Sequence, residues 1–123
     1  PSNALVQHDL TSTLQRLASI AAAEGRDDEA EALFRRALAI LEDLAGLESD
    51  SADRQHELLQ IQLELAEFLH ERDQRPAAQK LARAAATALG RVRHQLSEAD
   101  ADELDDTLRR LLPRGEGNHR PRR

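Results

Sequence analysis

The stretch AAAEGRDDEAEALFRRAL, residues 21–38, decides the fold. Alanines run into a glycine, an acidic cluster follows, and a second alanine- and leucine-rich segment begins. Gly25 has the backbone freedom that ends a helix in a left-handed residue. Asp27 and Asp28 are expected to cap the next helix and to complement its positive N-terminal dipole, and Asp28 with Glu31 has capping-box spacing. Upstream, Leu10, Leu14, Leu17, Ala18 and Ala21 recur at the three- and four-residue steps of one buried helix face. Downstream, Leu33, Phe34, Ala37, Leu38, Leu41 and Leu44 do the same. The quoted stretch therefore reads as the turn of an antiparallel helical hairpin, with a first helix over about 5–24 and a second running to about Ala45, closed by Gly46.

Three more helices follow. LESDSAD, residues 47–53, is the longest polar break and offers caps for a third helix over about 52–72, whose apolar side is Leu58, Ile61, Leu65, Ala66, Phe68 and Leu69. RDQR makes the next turn, and Pro76 suits a first helical position because the N–H it lacks has no partner there anyway. A fourth helix runs from 76 to about 95 through Leu81, Ala85, Leu89, Val92 and Leu96. Ser97 opens a fifth, striped by Ala101, Leu104, Leu108, Leu111 and Leu112 and stopped by Pro113. Of 123 residues, 40% are hydrophobic, chiefly Ala and Leu, and Phe34 and Phe68 are the only aromatics. Strong helix formers with few β-branched or aromatic residues point to an all-α domain.

Charge and composition narrow the function. The net charge is −6, and the last ten residues hold Arg114, Arg120, Arg122 and Arg123 against Glu116, so the body is more acidic still. An acidic body repels phosphate backbones, which argues against nucleic acid as a partner. Without Cys there is no disulfide, thiol nucleophile or thiolate metal site, a usage that fits a cytoplasmic setting. No apolar run approaches the roughly 20 residues of a membrane span. The chain has no Met and opens Pro1-Ser2-Asn3-Ala4, which reads as processed or excised, with SNA of the kind left by tag removal.

Catalytic signatures are missing. No G-x-S-x-G, glycine-rich phosphate loop or H-E-x-x-H occurs, and no cofactor is implied. Glu67 and His70 have the E-x-x-H spacing of di-iron bundles, but a second such motif on a facing helix is required and none falls within the five expected helices. His8, His56, His94 and His119 are scattered near helix ends or in the tail. The expectation is a non-catalytic protein.

The matched positions of the opening stretch resemble the tetratricopeptide repeat. Leu14, Leu17, Ala18 and Ala21 take the places of its first helix, Ala30, Phe34 and Ala37 those of its second, and Gly25 the turn. GRDDEAEALFRRALAI is similar to the longer repeats of kinesin light chains. The pattern returns 48 residues on: Leu65, Ala66 and Leu69 answer Leu17, Ala18 and Ala21, and Ala78 and Ala85 answer Ala30 and Ala37. There Ala82 replaces the aromatic and Asp73 the turn glycine. Trp, Tyr and the closing proline are absent from both units.

This resemblance implies hairpins stacked as a short right-handed solenoid: an N-terminal extension (1–9), hairpin one (10–46), a linker (47–53), hairpin two (54–96), a capping helix (97–113) and a basic tail (114–123). It also implies a concave surface lined by the first helix of each hairpin. Ser12, Gln15, Ser19 and Ala22 would line it in the first unit, and Gln60, Leu63, Glu67, His70 and Glu71 in the second. The Lys, Arg and Asn with which some members clamp a peptide carboxylate are lacking, so a basic or amphipathic segment of a partner protein fits better. The same residues also read as an ordinary antiparallel bundle with solvated polar faces. A third reading is structural: with so few repeats, the apolar edge of helix 1 or helix 4 pairs in a homodimer.

Overall fold

The computed structural model describes residues 2–113, with side chains from residue 5 onward; the basic tail lies outside them. Among the described residues there are five α-helices and no strand: α1 (Ser2–Ala23), α2 (Asp27–Leu47), α3 (Ala52–Glu71), α4 (Arg75–Val92) and α5 (Glu98–Leu111), with a 3-10 turn at Arg93–Gln95. The chain forms two compact units that divide inside α3, at Ile61 and Gln62, whereas the polar break 47–53 lies within the first.

In the first unit α1 and α2 pack as an antiparallel pair. Ala18, Ala21, Ala30 and Ala37 are completely buried; with only a methyl group at each crossing point, the two backbones approach closely. Leu14, Phe34, Leu41 and Leu44 fill the rest of the interior, each contributing about 1.5–3 kcal/mol by leaving water. The turn is a Schellman motif: Arg26 N donates to Ala21 O at 2.9 Å and Gly25 N to Ala22 O at 3.1 Å. Gly25 has φ 79°. A Cβ placed there would meet nothing within 4 Å, so the glycine is needed for its backbone angle and not for space.

The polar break is a short turn closed by Ser51, whose Oγ accepts from Arg54 N at 3.2 Å and so caps α3. The N-terminal half of α3 is tied to its unit by polar contacts. His8 Nε2 and Glu57 Oε2 are 2.7 Å apart, and the largely buried Arg54 reaches Glu48 at 3.3 Å and Glu57 at 3.0 Å. Hydrogen bonding to Glu57 raises the Arg54 pKa above its usual value.

The second unit contains the rest of α3, α4 and α5. Its first turn repeats the bonding of the Gly25 turn: Gln74 N donates to Leu69 O at 2.9 Å and Asp73 N to His70 O at 3.1 Å, with Asp73 at φ 64°. Ala78, Ala82, Ala85 and Leu89 are buried along α4, and Ala101, Leu104, Leu108 and Leu111 along α5. Ser97 caps α5 by accepting from Asp100 N at 3.1 Å. Arg93 forks onto Asp105 with bonds of 3.0 and 2.6 Å, and that hydrogen bonding raises the arginine's pKa.

Several local expectations are corrected. Helix α1 begins at Ser2, three residues before the expected start near residue 5. The residue before α2 is Arg26, which makes no side-chain cap; Asp27, Asp28 and Glu29 form the first turn and act through the dipole instead. Gly46 lies inside α2, one residue before its end, because one glycine costs a helix only about 1 kcal/mol and the buried Leu44 and Ala45 before it hold the backbone. Helix α4 ends at Val92 rather than near 95. Leu17, expected in the core, is half exposed, whereas Leu59, which the α3 pattern passed over, is fully buried.

Candidate functional site

The two turns match hydrogen bond for hydrogen bond at a 48-residue offset, and burial follows the same offset. Ala18 and Ala66, Ala30 and Ala78, and Ala37 and Ala85 are all completely buried, as are Ala21 and Leu69. Phe34 and Ala82 are both buried although their sizes differ. One hairpin design is thus used twice, α1 with α2 and α3 with α4.

The first helix of each hairpin keeps a polar face in contact with solvent. Along α1, Ser12 and Ser19 are exposed and Gln15 and Ala22 are half-buried, and on α3 Gln60, which falls within the first unit, is exposed. This face carries no charge at those positions. In the second unit the corresponding face is charged. Glu67 and His70 are half-buried and one helical turn apart, and Glu71 beside them is exposed. Glu67 Oε2 accepts from Arg110 Nη2 of α5 at 2.8 Å. The Nδ1 atom of His70 is buried and has no hydrogen-bond partner among the described residues. Leu63, placed by the sequence on this face, is 4% exposed and belongs to the interior; a partner would touch its neighbours and not its side chain.

Arg110 is the member of this surface that the sequence pattern did not single out. It stands on the charged face of α5, and no periodic signal marks which residue on another helix it meets. Arg72, just beyond Glu71, lies with its guanidinium carbon 5.7 Å from the centre of the Phe68 ring, a cation–π contact that holds the end of α3. The surface of the second unit is therefore a mixed patch: two carboxylates, one imidazole and one arginine that already occupies one of the carboxylates.

Exposed and half-exposed carboxylates on a helix face attract cationic side chains. Glu67 and His70 gain no third ligand: among the described residues no group of three or more His, Asp or Glu is placed to hold a metal ion. No helix among them is long and apolar enough to cross a membrane. Comparison with protein-family models, with curated proteins and with solved structures finds no match.

Proposed function

We propose that the chain is a short helical-repeat module of the tetratricopeptide type, right-handed in its stacking, that binds a basic or amphipathic helical segment of a partner protein without catalysing a reaction. The observation that supports this reading is the doubled hairpin, whose two copies leave the same face of their first helix open. In the second copy that face bears Glu67, His70 and Glu71. A segment with Lys or Arg on one side would meet Glu71 directly and compete with Arg110 for Glu67. Exposed ion pairs of this kind contribute about 0.2–1 kcal/mol each, so affinity depends on apolar contact and charge sets the preference.

The test is a titration with two labelled helical peptides of equal length, one of Leu and Lys and its counterpart of Leu and Glu. The reading predicts binding of the Lys peptide, weakened by salt and by Glu71→Lys, and none of the Glu peptide. Equal binding of both, or binding untouched by Glu71→Lys, would contradict it.

A further inference from the structure

The apolar surface of α1 is larger than a monomer's hairpin uses. Its core side carries Thr11, Leu14, Ala18 and Ala21, all buried. Roughly a quarter-turn away, a second stripe faces solvent: Val6 is 62% exposed, Leu17 47% and Ile20 46%, and Leu5 flanks the start at 63%. With half-buried Leu10 and exposed Thr13 these residues follow the alternating three- and four-residue steps of a coiled-coil seam, Val6, Leu10, Thr13, Leu17 and Ile20. The seam runs about 21 Å along the helix.

The same register in α3 shows what such a face requires. Forty-eight residues on, Thr13, Leu17 and Ile20 correspond to Ile61, Leu65 and Phe68, which are 0%, 0% and 8% exposed. A face that is covered in one copy of the hairpin is bare in the other.

Charge names the occupant. The inner flank of the seam is Leu14 and Ala21, already in the core. The outer flank is Asp9 and Arg16, both exposed, seven residues apart, and neither in an ion pair among the described residues. When two such helices pair antiparallel, like flanks face each other. Residues equally far on either side of the midpoint then meet. With the midpoint near Thr13, Asp9 of one copy meets Arg16 of the other, twice by symmetry, while Val6 packs against Leu17 and Ile20. Parallel pairing would bring Asp9 and Arg16 of the two chains no such complement.

We infer that α1 is a self-association surface on which two copies of this chain pair antiparallel through Val6, Leu10, Leu17 and Ile20, with reciprocal Asp9–Arg16 ion pairs fixing the direction. This surface is separate from the polar face proposed above to bind a partner segment. Failure of one leaves the other standing.

The experiment is sedimentation equilibrium of the full chain and four variants over a hundredfold concentration range, with circular dichroism confirming helix content. The wild type is expected to dimerise, and Leu17→Glu to raise the dissociation constant at least tenfold without loss of helix. Asp9→Arg and Arg16→Asp should each weaken the dimer, and the double swap Asp9→Arg with Arg16→Asp should restore it. All of these positions are wholly or half exposed, so the variants fold. A wild type that stays monomeric, a dimer indifferent to Leu17→Glu, or a double swap no better than its parents would overturn the inference.

Discussion

Gly25 and Asp73 stand 48 residues apart at the same point of two equivalent turns, one at φ 79° and the other at φ 64°. Both complete the same pair of backbone hydrogen bonds, back to Ala21 and Ala22 in one case and to Leu69 and His70 in the other. Glycine enters this left-handed region freely; aspartate tolerates it better than most residues because its short polar side chain bonds locally.

The two turns should therefore respond differently to substitution. Gly25→Ala is expected to destabilise the protein by about 1–2 kcal/mol, the cost of a Cβ at positive φ. Asp73→Gly should leave stability unchanged or raise it by about 0.5 kcal/mol. Urea denaturation of both variants measures the difference, and equal losses would mean that the turns are not equivalent.

Gly46 and Gly90 lie inside helices α2 and α4, both exposed, with nothing within 4 Å of where a Cβ would sit. Neither needs a glycine. Gly46→Ala and Gly90→Ala should each stabilise by about 0.5–1 kcal/mol, the smaller figure applying this close to a helix end. A rise in the thermal midpoint for each, additive in the double variant, is the expected reading.

The aromatic position of the repeat is filled by Phe34 in the first hairpin and by Ala82 in the second, and both are buried. Phe34→Ala should cost about 3–5 kcal/mol, since it removes a whole ring from a closed interior. Ala82→Phe should also destabilise, by about 1–3 kcal/mol, because the second hairpin is packed around a methyl group. Denaturant midpoints decide; a stabilised Ala82→Phe would reveal an unfilled wedge there.

Arg110 occupies Glu67 at 2.8 Å on an exposed part of the second unit. Arg110→Ala frees that carboxylate for an incoming cation. The variant should bind a Leu/Lys helical peptide more tightly, by about two- to fivefold, with stability changed by less than about 1 kcal/mol. Tighter binding without a change in melting temperature is the signature sought by calorimetry.

Much of the fold was legible because helix signals are local. The 3.6-residue periodicity, Gly25, Ser97 and Pro113 lie within a few residues of what they determine, and the 48-residue offset needed only the matched alanines. What the sequence did not reveal is set by neighbours distant in the chain. Leu17 repeats in phase with Leu14 and Ala18 yet sits at the edge of the stripe, where a shift of a fraction of a turn separates core from solvent. Leu59 is buried out of phase because α3 is covered on more than one side. Gly46 reads as a stop, but a glycine near a helix end is a small cost that the core residues Leu44 and Ala45 before it outweigh. The partnership of Glu67 with Arg110 follows from packing of α5 and has no sequence signature. For the same reason the candidate surface was named by position on a helix, and one of its members, Leu63, proved to be inside.

The most direct measurement of the proposed recognition is a titration of the isotope-labelled protein with the Leu/Lys helical peptide, followed by amide chemical shifts. The account predicts saturable changes centred on Glu67, His70 and Glu71, with smaller ones at Arg110 as its contact to Glu67 is displaced. Changes confined to other faces, or no saturable change at all, would contradict a recognition role for the open face of α3.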